Sequence, residues 1–237
     1  MQIRLADSLH GTADGDEAAA IVGQCVHCGF CTATCPTYRV LGDELDGPRG
    51  RIYLMKRVLE GATPTASTQR HLDRCLTCRA CETTCPSGVE YGRLLDVGRR
   101  VVDAQVPRPA AARAVRAVLR GTLTRPRLFA ALVALGQALR PVLPNALRAK
   151  LPRRQRTRAW PDARHPRRVL LLAGCVQPGL APGVNTATAR VLDALGLEVL
   201  VPSDAGCCGA IRQHLGDPAR ALDDVRRNVD AWWPHVE

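Results

Sequence analysis

Apolar residues recur at helical spacing in several segments of the chain. Between Arg51 and Gly61 they recur every three or four positions, which predicts a helix that ends near the glycine. The same pattern predicts helices over 111–120 and 128–139. Frequent prolines separate these segments, because proline ends a helix or begins the next one.

A different pattern occupies the last 70 residues or so of the chain. The runs 169–173 and 197–201 are short and apolar, as in buried strands, and they flank a predicted helix over 184–195. This order of elements predicts a parallel pair of strands. A further helix begins at Asp217, with Pro218 at its first position. One face of the helix over 184–195 collects Val184, Ala187, Thr188, Val191, Leu192 and Leu195.

These patterns predict a multidomain protein of the α+β class. We expect a helical, ferredoxin-like domain over 1–104, a basic segment of helices and linker over 105–167, and a cysteine-rich α/β domain over 168–237. Two strands are too few for a doubly wound sheet, so the last domain is predicted to be incomplete.

Positive charge is concentrated in the middle of the chain. The net charge is +11, and residues 107–168 hold 16 Lys or Arg and a single acid, Asp162. Such a segment suits nucleic acid, anionic lipid or an acidic partner. No binding motif or interleaved aromatic residue accompanies the charge, so we expect no nucleic-acid partner. The helix over 128–139, between Arg127 and Arg140, either lies on a membrane surface or packs on the ferredoxin domain.

The chain contains 11 cysteines, an odd number that excludes complete disulfide pairing. The N-terminus shows no secretory signal, and no apolar run approaches the roughly 20 residues of a transmembrane helix. We therefore expect a cytoplasmic, reducing compartment, in which clustered cysteines usually bind metal.

Eight of these cysteines form two copies of the motif C-x2-C-x2-C-x3-C-P, which lie 50 residues apart. This is the bacterial ferredoxin spacing, in which three thiolates hold one cluster and the fourth cysteine ligates the other cluster. Two [4Fe–4S] clusters are therefore predicted. The first has the ligands Cys25, Cys28, Cys31 and Cys85, and the second has Cys75, Cys78, Cys81 and Cys35.

Other metal chemistries fit these motifs less well. Zinc sites use separated C-x2-C pairs, and a [3Fe–4S] cluster would leave one position of the motif vacant. The two clusters, together with the absence of a visible nucleophile or acid–base pair, predict electron transfer without catalytic residues in this chain. No glycine-rich dinucleotide fingerprint is present, so we expect a flavin on a partner subunit. Arg49 and Arg51 either stabilise the negative charge of the first cluster or form surface ion pairs.

Cys175, Cys207 and Cys208 follow the two predicted strands. The carboxyl ends of parallel strands are where α/β sheets place their sites, so these three thiols are candidates for an extra redox or metal site. Packing is the alternative, because a free cysteine behaves as a small apolar residue. A thiol–disulfide reductase built on these three cysteines is a second functional hypothesis.

Longer stretches around the cysteines resemble one family. QCVHCGFCTATCPTY, LGDELDGPRGRIYL and HLDRCLTCRACETTCPSGV are similar to the iron–sulfur subunit of bacterial glycolate oxidase, and the similarity continues in NTATARVLD, AGCCGA and DAWWPHVE. The resemblance covers residues 20–237. The CCG signature is shared with heterodisulfide reductases, lactate-utilisation proteins and anaerobic glycerol-3-phosphate dehydrogenase.

The resemblance implies a subunit that transfers electrons within a glycolate dehydrogenase complex. In that family a flavoprotein subunit carrying FAD oxidises glycolate to glyoxylate, and the iron–sulfur subunit passes the electrons to a membrane acceptor such as quinone. A peripheral position on the inner membrane is implied as well. A related lactate, glycerol-3-phosphate or heterodisulfide oxidoreductase, with a thiol site at the CCG motif, is the alternative. Family members continue with further cysteines and a second CCG domain, so we expect this chain to be truncated.

Overall fold

The computed structural model describes residues 1–155 and 157–236 and divides into two compact units. The first unit is Met1–Pro109 and the second is Ala110–Glu237. The second unit contains most of the predicted basic segment as well as the predicted α/β part. Each unit is described separately below.

The first unit is helical, as predicted. Besides a 3₁₀ turn at Glu44–Asp46, residues 1–109 form seven helices: α1 Ala13–Gln24, α2 Phe30–Ala33, α3 Pro36–Leu41, α4 Pro48–Leu59, α5 Ala66–Asp73, α6 Ala80–Thr83 and α7 Tyr91–Gln105.

Helix α4 contains most of the helix predicted over 51–61, but it begins earlier, at Pro48. Proline suits the first position of a helix because the N–H that it lacks would have no partner there. Gly61 lies just beyond the end of the helix with a φ of +98°, a left-handed conformation that glycine adopts at little cost.

The core of the first unit lies where α1, α4, α5 and α7 meet. Met55 and Leu59 of α4 pack with Leu94 and Leu95 of α7, and all four are buried. A Cβ at Gly98 of α7 would lie 2.4 Å from the sulfur of Met55. The absence of a side chain at Gly98 therefore lets α7 approach α4 closely, and this packing supports the two cysteine loops.

The second unit combines helices with a small sheet, which confirms the predicted α+β class. Apart from 3₁₀ turns at Arg140–Val142 and Trp233–His235, its described residues form α8 Ala110–Leu123, α9 Pro126–Leu139, α10 Asn145–Lys150, β1 Arg167–Leu170, α11 Gln177–Leu180, α12 Pro182–Ala194, β2 Leu197–Leu200, α13 Ala210–His214 and α14 Pro218–Trp232.

The two strands are parallel, as the strand–helix–strand order predicts. Arg167 pairs with Leu197, and Leu170 pairs with Leu200. The linker predicted before β1 contains no helix or strand over 151–155 and 157–166, while Arg156 lies outside the described residues.

Helix α12 presents a different face to its neighbours than its apolar pattern suggests. Val184, Val191 and Leu195 are exposed, whereas Thr186 and Ala189 are buried. The helix contacts β2 and α11, and the small side chains on its buried face permit that approach. The larger apolar face is therefore not covered by the described residues of this chain.

Helix α9 packs against α11 within the second unit. Phe129 and Ala130 of α9 lie close to Gly179 of α11, with ring carbons of Phe129 3.2 and 3.3 Å from the position of a Cβ there. Among the described residues, no helix has both the length and the apolar character needed to cross a membrane.

Candidate metal centres

The two cysteine motifs fold into loops that have the same unusual backbone conformation. In the first loop, His27 has a φ of 59° and Gly29 a φ of 87°; at the matching positions of the second loop, Thr77 has 53° and Arg79 has 58°. Among the described residues, no other non-glycine residue has a positive φ. A left-handed conformation costs such a residue on the order of 1–3 kcal/mol and persists where the surrounding structure requires it. The surroundings of both loops must therefore stabilise this conformation.

The two loops are related by an internal repeat that is visible in the structure. Helices α2 and α6 follow the loops at the same 50-residue offset. Thr34 and Thr84, which occupy matching positions, are hydrogen bonded to each other through their hydroxyl groups at 3.4 Å. Thr84 also donates to the carbonyl of Ala80 at 3.1 Å. The loops thus face each other across a contact between equivalent residues.

Each loop borders a cavity, and each cavity receives the fourth cysteine of the other motif. The first cavity lies at the first loop, and the second lies at the second loop. The first is lined by Cys25, Cys28, Cys31, Cys81 and Cys85. The second is lined by Cys35, Cys75, Cys78 and Cys81. The structure therefore gathers each predicted ligand set around one cavity, with Cys81 between the two.

The thiols have the chemistry that an iron–sulfur centre requires. All of them are free. Burial, followed by the charges of Cys75 and Cys31, raises the pKa of Cys81 to about 12. Burial and the neighbouring Cys25 likewise raise the pKa of Cys31. Thiols that resist joint ionisation need a cationic partner to become thiolates, and iron supplies that charge. The residues present therefore fit thiolate-ligated clusters.

A buried ion network supports the second cavity. The Asp46 carboxylate is fully buried and accepts hydrogen bonds from Arg74 at 2.7 Å and from Arg51 at 3.5 Å. His71 Nδ1 lies 3.0 Å from the same carboxylate. Arg51 is also buried, and its Nε donates to the carbonyl of His71 at 2.7 Å. The network fixes the 3₁₀ turn against α4 and α5.

The charge state of Asp46 reflects this network. Burial by itself would raise the pKa of the carboxyl group, but the hydrogen bonds from His71 and Arg74 outweigh it and hold the pKa below its ordinary value. The carboxyl group is therefore ionised at neutral pH and compensates the buried charge of Arg51. Asp43, Asp46 and His71 lie close enough together to suggest a cation site. The two guanidinium groups already bound to Asp46 disfavour that use.

The two arginines at the start of α4 have different environments. Arg49 borders the first cavity, where its Nε donates to Glu44 at 2.6 Å in a partly exposed ion pair. Arg51 borders the second cavity rather than the first. Residues two positions apart on a helix do not lie on the same face, so Arg49 and Arg51 have different surroundings. The expectation that both lie near the first cluster is therefore wrong for Arg51.

Two further side chains contact cysteine sulfurs at the second cavity, although no sequence motif indicated them. Thr37 and Cys35 approach with their Oγ1 and Sγ atoms 3.1 Å apart. The hydroxyl of the buried Tyr91 donates to Cys75 Sγ at 3.6 Å. Burial raises the pKa of Tyr91 well above its ordinary value, so that it keeps its proton. The position of Thr37 two residues after the fourth cysteine was the only sequence signal available for it.

The third group of cysteines lies after the two strands, as predicted. Cys207 is buried, and burial together with the nearby Cys175 raises the pKa of its thiol to about 11. Cys208 is exposed. Asn228 of α14 holds the loop by donating to the carbonyl of Cys207 and accepting from the N–H of Gly206, both at 2.8 Å. The structure thus brings Cys175 and Cys207 together.

Gly209 completes this loop. It has a φ of +83°, and a Cβ at this position would lie 2.6 Å from the carbonyl oxygen of Ala221 in α14. A side chain would be strained there and would also collide with the backbone, so the loop requires glycine after its two cysteines.

Comparison with protein families agrees with this arrangement of sites. Residues 21–89 match the 4Fe-4S dicluster domain, and residues 169–236 match the cysteine-rich domain designated CCG. The chain is therefore an iron–sulfur protein in which a dicluster domain precedes a cysteine-rich domain.

Curated relatives give a narrower class. The chain is 56% identical over 238 residues to the glycolate oxidase iron-sulfur subunit of Escherichia coli (strain K12), in an alignment covering 100% of this chain and 58% of the relative. It is 34% identical to a probable glycolate oxidase iron-sulfur subunit of Bacillus subtilis (strain 168), with 88% of this chain and 53% of the relative covered. These matches confirm the resemblance to the iron–sulfur subunit of bacterial glycolate oxidase.

A more distant relative belongs to another oxidoreductase. The chain is 28% identical to a heterodisulfide reductase subunit of Methanosarcina acetivorans, over 87% of this chain and 51% of the relative. The chain spans little more than half the length of the curated relatives it matches. No solved structure matches it.

We expect Asp46→Asn to lower the free energy of unfolding of the chain by about 3–5 kcal/mol, because it leaves the buried Arg51 charge without its carboxylate. Chemical denaturation followed by circular dichroism measures this loss. The control is Asp43→Asn, at an exposed carboxylate that accepts from the N–H of Leu45 at 2.9 Å. Asparagine caps as well as aspartate does, so a change within about 0.5 kcal/mol is expected. Equal losses in the two variants would contradict the role given to Asp46.

Proposed function

We propose that this chain holds two [4Fe–4S] clusters and carries electrons within a glycolate oxidase complex. The observation that supports the proposal best is the gathering of each crossed cysteine set around its own cavity. In this proposal Cys25, Cys28, Cys31 and Cys85 hold the first cluster. Cys75, Cys78, Cys81 and Cys35 hold the second. Each cluster supplies a site that takes up and releases one electron at a time.

The chain's own residues shape and shield these sites. Pro48 and Ile52 of α4 contribute apolar surface to the first cavity together with Val89. Apolar walls restrict water and influence the reduction potential of a buried centre. Arg99 of α7 fixes the start of the second loop by donating to the carbonyls of Leu72 at 2.8 Å and Cys75 at 3.0 Å. These contacts tie the loop that carries Cys75 to helix α7.

The oxidation of glycolate to glyoxylate is assigned to a partner. A two-electron oxidation needs a group that accepts an electron pair and releases single electrons, which is a property of flavins. We propose that a flavoprotein subunit carrying FAD provides this group and that this chain receives its electrons. Catalytic residues for the 2-hydroxy acid are then not required in this chain.

A redox role for the cysteine-rich domain is the second candidate. The proximity of Cys175 to the buried Cys207, with Cys208 exposed beside it, favours a thiol or metal site after the two strands. The similarity to a heterodisulfide reductase subunit is consistent with it. A related oxidoreductase acting on lactate, glycerol 3-phosphate or a heterodisulfide is the corresponding alternative for the complex.

We also propose that the electrons leave toward a membrane acceptor such as quinone and that the chain is peripheral to the inner face of the membrane. Residues 110–150 hold eight Lys or Arg and no acid. In the same stretch Val118 of α8 and Leu132 and Leu135 of α9 are exposed. Exposed apolar side chains among cations are typical of helices that lie on an anionic bilayer.

The cluster assignment predicts about eight iron and eight sulfide per chain for two cubanes. Anaerobically purified protein, analysed for iron and sulfide and by low-temperature EPR, measures this content. Because the fourth ligands are exchanged, Cys85→Ala and Cys28→Ala should remove the same EPR signal, although they lie in different motifs. Zinc in place of iron would contradict the proposal.

Cys208→Ala is the matched control for these variants, and it should retain both signals because this cysteine lies in the other unit. A Cys85→Ala variant that loses the same signal as Cys78→Ala would show that the ligands are not exchanged.

The functional assignment predicts reduction of this chain by glycolate through a flavoprotein. Glycolate should bleach the visible absorption of the clusters in the presence of the flavoprotein subunits of a glycolate oxidase complex, and not in their absence. Stopped-flow spectroscopy under anaerobic conditions measures the effect. Bleaching by lactate or glycerol 3-phosphate, but not by glycolate, would assign the chain to one of the related complexes instead.

The membrane proposal predicts that the chain sediments with phosphatidylglycerol vesicles at low salt and is released as the salt concentration rises. Leu132→Glu with Leu135→Glu should weaken binding at least about tenfold, since burying one leucine contributes about 1.5–3 kcal/mol. Val191→Glu, on the exposed face of α12, is the control and should bind like the unmodified chain. Equal binding to neutral vesicles would contradict the proposal.

A further inference from the structure

The two candidate cluster sites differ in the side chains that can donate hydrogen bonds to their sulfurs. Backbone N–H groups reach thiols in both sets, at Cys31 and at Cys75. Within residues 1–109, side-chain hydroxyl groups contact sulfurs of the second set only: Thr37 at Cys35 and Tyr91 at Cys75. Within residues 1–109, all of which are described, no side chain is hydrogen bonded to a sulfur of the first set. The two halves of the internal repeat therefore differ in the side-chain hydrogen bonds that reach their cysteine sulfurs.

The contrast is clearest just after the fourth cysteine of each motif. Thr37 lies two residues after Cys35, and Ser87 occupies the matching position after Cys85. The Oγ1 of Thr37 is 3.1 Å from Cys35 Sγ, whereas no hydrogen bond joins Ser87 to Cys85 in the described part of the chain. Both residues have a hydroxyl group, so the difference comes from their surroundings.

Arg51 provides those surroundings. Its Nη1 donates to Thr37 Oγ1 at 3.2 Å, and this polarises the hydroxyl group. Thr37 can place its single proton on the carbonyl of Asp46, 2.8 Å away, or on Cys35 Sγ. Once Cys35 is a thiolate it has no proton of its own and carries negative charge, so it competes for the Thr37 proton. A ligated Cys35 thus has a donor available.

Tyr91 acts in the same direction at another ligand. Its ring is buried and its hydroxyl is 3.6 Å from Cys75 Sγ, a separation suited to a hydrogen bond to sulfur. The N–H of Thr77 also donates to Cys75 Sγ at 3.5 Å. Two of the four sulfurs of the second set therefore have side-chain donors.

Fixed charge adds to this asymmetry. At the second cavity, the Asp46 carboxylate is shared between the guanidinium groups of Arg51 and Arg74, so one negative charge faces two positive ones. At the first cavity, Arg49 is paired with Glu44 alone, and both side chains are about one-third or more exposed. Water screens the Arg49–Glu44 pair at the first cavity far more than the Arg51–Asp46 pair at the second, because Arg51 is only 1% exposed.

We propose that Thr37, Tyr91 and Arg51 give the cluster held by the second cysteine set a higher reduction potential than the cluster held by the first set. The inference rests on the proposed function, in which each set holds one cluster. Reduction adds one negative charge to a cluster and its thiolates. Hydrogen bonds to the sulfurs and a nearby buried cation stabilise that charge, which raises the potential. Thr37, Tyr91 and Arg51 act as positioning residues, because they neither ligate iron nor contact a substrate.

The consequence is a direction of transfer within the chain. One electron leaves the site formed by Cys25, Cys28, Cys31 and Cys85 and arrives at the site formed by Cys35, Cys75, Cys78 and Cys81. The first site is oxidised by one electron and the second is reduced by one electron. No bond forms or breaks, and no proton is required. The two halves of the repeat differ at the fourth cysteine of each motif. Cys35 contacts the hydroxyl group of Thr37, whereas no hydrogen bond within residues 1–109 joins Cys85 to Ser87.

An EPR-monitored redox titration of the cluster-containing full chain tests the proposal. Thr37→Val keeps the shape of the side chain and removes its hydroxyl group. We expect it to change the reduction equilibrium of one couple about tenfold, which corresponds to a potential lower by about 59 mV for one electron. The couple that moves identifies the second set, and in the unmodified chain it must be the couple with the higher potential.

The repeat supplies the matched control. Ser87→Ala removes the corresponding hydroxyl group beside Cys85 and should leave both potentials unchanged. Thr37→Ser keeps the hydroxyl group and should preserve the potential that Thr37→Val lowers. Tyr91→Phe is an independent second variant, and it should lower the same couple that Thr37→Val lowers.

The outcomes separate this inference from the function on which it rests. Unmodified protein without two clusters would overturn the proposed function. Two clusters whose potentials ignore both Thr37→Val and Tyr91→Phe would overturn the inference and leave the proposed function intact. A shift confined to the lower-potential couple, or an equal shift in Ser87→Ala, would also overturn it. If Thr37→Val does not retain both clusters, the response to Tyr91→Phe decides.

Discussion

The exchange of the fourth cysteine between the two motifs is the constraint on which the first unit depends. Cys85 lines the cavity of the first loop and Cys35 lines the cavity of the second. Each cavity is lined by cysteines of both motifs, so the two halves of the unit pack face to face. The contact between Thr34 and Thr84, and the close approach of α4 and α7 at Gly98, accompany this packing.

Spacing along the sequence predicted which cysteines line the same cavity, because three cysteines of each predicted set lie within seven residues and the ferredoxin pattern indicates the fourth. The surroundings of those thiols could not be predicted in the same way. Tyr91 reaches Cys75 across 16 residues and His71 reaches Asp46 across 25. Such contacts depend on how the helices pack, and a single sequence does not show that.

The second unit shows another limit of periodicity. The strands and the helix between them were predicted, and their parallel pairing is confirmed. The buried face of α12 was not evident, because Thr186 and Ala189 approach the sheet while the larger apolar residues stay exposed. Side-chain size determined this contact more than hydrophobicity did. At the following loop, by contrast, the CCG letters already indicated the glycine that the geometry demands at Gly209.

The position of Cys85 also has a consequence for how the protein is made. A ribosome that has just added Cys31 must add a further 54 residues to reach Cys85. At roughly 5–20 residues per second, this takes about 3–11 s. Under the proposed ligation, the nascent chain offers during that interval only three of the four thiols of the first set. Insertion of the proposed clusters is then tied to translation, because each ligand set takes cysteines from both motifs.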